Sequence, residues 1–181
     1  KKIETKGIRY LGSKSKIIPL IVDVVEGLNI DDRSIIDVFT GTTRVAQAFK
    51  SVGYKVTTSD LAWASTAYSH AFICNDGNVD HLQTYIDELN NLEGVEGWLT
   101  ENYCDGSATK RDGSTIAIQV WKPKNGMKAD AIRDRIDNLQ LEAWEKNYLI
   151  TSLIFALDKV DNTVGLQQAY LKGWKSPRVD K

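Results

Sequence analysis

Two aspartates bracket a glycine turn in this chain. Asp37 closes a short apolar run and leads into Val38-Phe39-Thr40-Gly41-Thr42-Thr43, and Asp60 stands nineteen residues after Gly41. The turn after the first strand of a doubly wound sheet is where nucleotide-like cofactors bind. A glycine there lets the backbone come close to a ligand. The helix that opens near Arg44 offers unpaired N–H groups and a partial positive charge to a carboxylate or phosphate. An acid ending the second strand accepts hydrogen bonds from ribose hydroxyls. Two cofactor classes use this geometry. A dinucleotide wants Gly-x-Gly-x-x-Gly, because its pyrophosphate presses on the turn; here Thr43 holds the second glycine position and Gln47 lies near the third. S-adenosylmethionine has no phosphate and does not need all three glycines, so the residues favour it over NAD. The bland alternative is a plain βαβ turn in which Asp60 caps a helix.

The elements that must position these residues follow from periodicity. Residues 14–28 predict a helix with Ile17, Ile21, Val24, Val25 and Leu28 on one face, Ser13 or Ser15 as its cap, and Pro19 near its start, where a missing N–H costs least. Residues 34–39 read as a strand, 44–52 as a helix burying Val45, Ala48, Phe49 and Val52, and 54–59 as a second strand, with Gly53 ending the helix at positive φ. Strand, turn, helix and strand in this order make a βαβ unit with parallel strands. Helices are expected over 61–72 and 79–92, the latter with Leu82, Tyr85, Ile86 and Leu89 on one side. Residues 94–112 read as loop-rich. An edge or hairpin strand follows over 115–121, with Ile116, Ile118 and Val120 on one face, and then helices over 129–139 and 142–160. Two parallel strands are too few for so many helices. The expectation is an incomplete α/β domain, organised as a cofactor core over 1–93, an insertion over 94–128 and a helical return over 129–181.

Composition narrows the class. A chain of 181 residues with 42% hydrophobic content suits one packed domain with a small appendage. No apolar run spans a bilayer, and the first residues are no signal peptide. Cys74 and Cys104 lack metal spacing and read as buried free thiols, which fits a reducing cytoplasm. His70 and His81 read as surface or helix residues without catalytic partners. The net charge of −1 is unevenly spread. Residues 56–109 contain no lysine or arginine and nine acids; all 23 basic residues stand elsewhere with the other 15 acids, a balance of +8. Basic residues gather in the first sixteen positions, around Lys110, Arg111, Lys122, Lys124 and Lys128, and from Lys172 onward. Double-stranded DNA could meet those regions through its phosphates and avoid the acidic one; an ordinary solvated surface explains the same pattern.

Arg9-Tyr10-Leu11-Gly12-Ser13-Lys14, Asp37-Val38-Phe39-Thr40-Gly41-Thr42 and Ser59-Asp60-Leu61 together resemble the opening of the Dam-type DNA adenine methyltransferases. A more local likeness is to bacterial restriction-modification methylases with Gly-Thr-Thr-Arg-Val in the turn and stretches like Glu101-Asn102-Tyr103-Cys104, Pro123-Lys124-Asn125-Gly126-Met127-Lys128, Ala156-Leu157-Asp158 and Ser176-Pro177-Arg178. The resemblance implies a Rossmann-like fold that binds S-adenosylmethionine and methylates the exocyclic amine of adenine. It implies that Tyr10 stacks near the cofactor, Gly12 shapes the loop, Lys14 approaches the methionine carboxylate and Asp37 helps hold the amino group. Phe39, Thr40 and Gly41 would form the turn, and Asp60 with Leu61 the ribose end. It places the DNA-reading region within 94–128. The family holds its flipped adenine with Asp/Asn-Pro-Pro-aromatic, and the 181 residues contain no such motif; Pro19, Pro123 and Pro177 are isolated. The expectation is that a C-terminal part or second subunit carries it.

Two other readings stay open on the residues alone. One is a non-catalytic module that binds S-adenosylmethionine or DNA and regulates a partner. The other is an NAD-dependent oxidoreductase, which the glycine pattern opposes.

Overall fold

The structure is a computed structural model describing residues 3–10, 12–109, 112–165 and 169–179. The protein is α/β and divides into two compact units. Residues 1–78 and 142–151 form the first, and residues 79–141 and 152–181 the second. Residues 79–93, grouped by sequence with the cofactor core, belong to the second unit.

The first unit is built on the βαβ motif. Strand β1 (Ser34–Asp37) pairs in parallel with β2 (Lys55–Thr58), in a register that sets Ser34 opposite Lys55 and Asp37 opposite Thr58. Helix α2 (Arg44–Ser51) makes the crossover, and Gly53 ends it at φ +93° as expected. Helix α1 (Ile18–Glu26) begins four residues later than expected. Neither Ser13 nor Ser15 caps it: Ile17 stands at the N-cap with no side-chain cap bond, and Pro19 lies in the first turn. The buried face is also rotated. Ile18 and Val22 are buried, with Ile21 and Val25 beside them, whereas Ile17, Val24 and Leu28 are exposed. Ile18 and Val22 pack with Ala48, Phe49 and Tyr54 into one core that also receives Ile35 and Val56 from the strands. The opposite face of the pair is bare among the described residues, with Ile36 66% exposed. Helix α3 (Trp63–Ser69) runs on into a π turn, His70–Cys74. The Lys50 ammonium closes that turn by donating to Ile73 O at 2.6 Å and Asn75 O at 3.1 Å.

The second unit begins with a 3₁₀ turn (Asp80–Leu82) that buries Leu82 and with α4 (Gln83–Asn90), which buries Leu89. Where the sequence reads as loop, the structure places helix α5 (Trp98–Tyr103) and strand β3 (Cys104–Thr109). The helix is held from outside itself. Asp130, on α6 (Pro123–Asn138), accepts from Leu99 N and Thr100 N at 2.9 Å and from Thr100 Oγ1 at 2.6 Å, satisfying N–H groups that a local cap would otherwise take. Strand β4 (Thr115–Gln119) pairs antiparallel with β3 through a bulge at Cys104/Gly106. The side chain of Ile116 lies outside the described residues. Gly126 lets α6 lie against this region, since a Cβ there would stand 2.2 Å from Cys104 Sγ. Helix α7 (Ala143–Lys159) starts in the first unit and ends in the second. Beyond it, fully buried Asn162 ties the tail to β4: Nδ2 donates to Gln119 O and Leu171 O, and Oδ1 accepts from Ser176 N. No helix among the described residues is long and apolar enough to cross a membrane.

Candidate functional site

The turn after β1 is shaped by two residues with positive φ. Gly41 sits at φ +52° and Thr43 at +59°, and Thr43 N donates to Thr40 O at 2.8 Å to close the bend. Asp60, ending β2, holds the turn from the side. Its Oδ2 accepts from Gly41 N at 2.9 Å and its Oδ1 from Ala62 N at 3.0 Å. The backbone N–H of Ala62, and then that of Gly41, lower the Asp60 carboxyl below its usual range against a smaller opposing effect of desolvation. Asp60 does not cap α3, whose N-cap is Ala62. The Ser65 hydroxyl and the Leu61 N–H also bond to this carboxylate and lower it further.

Beside the turn lies a cavity of about 240 Å³ lined by Tyr10, Lys14, Ile21, Asp37, Phe39, Thr40, Arg44 and Val45. Five of the residues singled out by sequence therefore meet at one place: Tyr10, Lys14, Asp37, Phe39 and Thr40. Gly41 is adjacent, since a Cβ on it would stand 3.6 Å from the Tyr10 hydroxyl. Gly12 takes φ +85° with open space around it, and Leu61 is fully exposed. Sequence reasoning missed Arg44. Its guanidinium donates to Thr5 O at 2.9 Å and Gly7 O at 2.6 Å, pinning the segment that leads to Tyr10. The available signal was its place as the first residue of α2, directly after the turn.

Two features of the cavity wall suit a polar ligand. The Thr40 hydroxyl is buried without a hydrogen-bond partner among the described residues, and buried polar atoms are rarely left so. Helix α2 has no side-chain cap at its N-terminus, which leaves first-turn N–H groups for a ligand.

In the second unit, Lys124 is exposed near the start of α6 and Lys122 is its N-cap residue. Lys128 is differently placed: its ammonium donates to Asn90 O at 2.8 Å and to Leu92 O. Lys110 and Arg111 lie outside the described residues. Of the two thiols, Cys104 is buried, and burial pushes its pKa up to about 11. Cys74 is exposed, contrary to expectation, because the π turn carries it to the helix end. His70 Nδ1 lies 2.7 Å from the Asn147 amide.

The βαβ unit, with its glycine turn, the neighbouring cavity and Asp60 just past the second strand, makes this an α/β protein with a cavity beside the turn. The chain belongs to the D12 class N6 adenine-specific DNA methyltransferase family, whose model matches residues 10–180. It is 28% identical to the type II methyltransferase M.NlaIII of Neisseria lactamica, over 93% of this chain and 50% of that protein. It is also 28% identical to the modification methylase LlaI of Lactococcus lactis subsp. lactis, over 96% of this chain and 29% of that protein. The type II methyltransferase M.CviAII of Paramecium bursaria Chlorella virus 1 is 26% identical over 96% of this chain and 52% of its own length. The chain thus spans half or less of most of the relatives it matches. No solved structure matches it. Family membership implies a methyl donor.

Proposed function

We propose that this chain forms the S-adenosylmethionine site of a site-specific, cytoplasmic DNA adenine methyltransferase with a Rossmann-like fold. The observation that carries the reading is the convergence of Tyr10, Lys14, Asp37, Phe39 and Thr40 on one cavity, with Asp60 bonded to the glycine turn beside it. The donor set fits the cofactor. Lys14 and the uncapped start of α2 suit a methionine carboxylate, Asp37 suits its ammonium, and the orphaned Thr40 hydroxyl suits either. Asp60 accepts from the ribose, Leu61 packs beside it, Tyr10 stacks on the ligand and Gly12 shapes the approach of Lys14.

S-adenosylmethionine, when bound, supplies an electrophilic methyl group. The chain's own residues orient it and exclude water, and the target adenine is flipped from the duplex to reach the pocket. Lys122 and Lys124, with Lys110 and Arg111, are the proposed phosphate contacts on the DNA-reading side; Lys128 is spent on Asn90 and Leu92. The Asp/Asn-Pro-Pro-aromatic motif is proposed to come from a C-terminal half or second subunit. The bare face at Ile36 and the 84% exposure of Phe39 leave room for further chain beside β1.

Calorimetry with S-adenosylhomocysteine and with NAD tests the cofactor assignment. The expected result is binding of the first and none of the second at equal concentration; the reverse order would refute it.

A further inference from the structure

Thr43 is fully buried at φ +59°, a left-handed conformation that a β-branched residue rarely adopts. It stands immediately before α2, yet its hydroxyl does not cap the helix. Gln47, one turn further on, donates from Nε2 to Thr43 Oγ1 at 3.0 Å. The same amide grips the backbone of Lys6 at both ends: Nε2 donates to Lys6 O at 2.9 Å, and Lys6 N donates to Oε1 at 2.8 Å. This pair of bonds fixes which end of the amide is oxygen. One side chain therefore ties the strained residue of the turn to a segment that reaches Tyr10 four residues later and Lys14 eight residues later, both on the cavity wall.

We propose that Gln47 is a positioning residue for the cofactor turn, holding Thr43 in its left-handed conformation while docking the Lys6 segment against α2. The inference rests on the cofactor reading of that turn for its functional meaning. Its structural content stands on the three hydrogen bonds and on the strain. A threonine released from Gln47 relaxes toward negative φ, and the change moves the backbone at Thr40 and Gly41. A glycine at the same position keeps positive φ unaided.

The experiment compares Q47A, T43G and the Q47A/T43G double variant with the parent, in the full-length protein. Two readouts are needed, namely amide hydrogen exchange without ligand and calorimetry with S-adenosylhomocysteine. Q47A is expected to speed exchange at Thr43 and at Lys6, and to weaken the probe about tenfold, the scale of one or two missing hydrogen bonds. The double variant is expected to recover affinity and slow exchange at residue 43 while exchange at Lys6 stays fast. T43G alone is expected to keep exchange at residue 43 as slow as in the parent. A double variant that stays as weak as Q47A, or a Q47A variant with unchanged exchange at Thr43, overturns the inference. If the parent binds no probe, the cofactor reading fails, and the exchange pattern still decides the role of Gln47. If Q47A unfolds, the double variant decides: a folded chain with slow exchange at residue 43 supports the inference, and an unfolded one overturns it.

Discussion

The carboxylate of Asp60 and the amide of Gly41 form a hydrogen bond of 2.9 Å that joins the end of the second strand to the turn after the first. Asp60 therefore has two tasks, since the group proposed to bind ribose also holds the glycine turn in place.

Asp60→Ala is expected to lose both. Hydrogen bonds to a charged acceptor contribute about 1.5–3 kcal/mol each, so calorimetry should show at least a tenfold loss of S-adenosylhomocysteine affinity. The lowered folded-state pKa also fixes the pH window. A depressed carboxyl contributes stability above its unfolded pKa of about 3.9, and the contribution is lost as pH falls through the folded value. Urea unfolding of the parent should weaken below about pH 4, and Asp60→Asn should flatten that part of the profile. Unchanged affinity in Asp60→Ala would remove Asp60 from the site.

Gly126→Ala places a Cβ 2.2 Å from Cys104 Sγ, with Thr100 Oγ1 at 3.2 Å. Both atoms belong to packed elements, so the expected cost is about 1–3 kcal/mol or more, read as a lower urea midpoint. Cys104→Ala in the same chain removes the sulfur and should restore most of the loss. A double variant no better than Gly126→Ala would show that the sulfur is not the obstacle.

The same junction shows which parts of the fold were legible. Strand β1, helix α2 and strand β2 were readable because their patterns are local: apolar runs of strand length, one helical period and Gly53 at the break. Helix α5 and strand β3 were not. The cap of α5 is Asp130, about thirty residues further along the chain, and Cys-Asp-Gly-Ser-Ala-Thr carries no strand pattern until β4 pairs with it. On α1, periodicity alone could not choose between a face through Ile17 and one through Ile18; packing against Phe49 and Tyr54 decided for Ile18. At the site, Asp37, Gly41 and Asp60 stood out by type and spacing. Arg44 and Gln47 did not: the place of Arg44 directly after the turn was its one signal, and the bonds of both side chains to residues 5–7 reach about forty residues back along the chain.

Lys124 and Lys128 lie one helical turn apart on α6 but are expected to behave differently toward DNA. Each phosphate that the protein no longer neutralises should reduce the slope of log affinity against log salt by about 0.9. Lys124→Ala is expected to do so without changing stability. Lys128→Ala is expected to leave the slope alone and lower the unfolding midpoint, because its ammonium is engaged by Asn90 O and Leu92 O. Filter or fluorescence titrations at several salt concentrations, set beside urea curves, check both halves. Equal slopes for the parent and Lys124→Ala would place the phosphate-binding surface elsewhere.

The last prediction concerns the methyl-transfer step. Strand β1 pairs only with β2 among the described residues, and Ile36, Val38, Phe39 and Leu61 are exposed around its end. Apolar side chains on an unpaired strand favour further pairing, and parallel sheets are stable when both faces are covered. The proposed cofactor cavity opens at this same end of the strand, so added chain there would bring the adenine-holding motif to the methyl group. Residues 1–181 alone should bind S-adenosylhomocysteine weakly, associate in solution and transfer no labelled methyl group to duplex DNA. A polypeptide carrying Asp/Asn-Pro-Pro-aromatic, supplied in the same chain or as a second subunit, should restore transfer to adenine, slow amide exchange along Ile36 and Val38, and suppress association. Strong transfer by residues 1–181 alone would end the split-site reading and require an acceptor site among the residues already described.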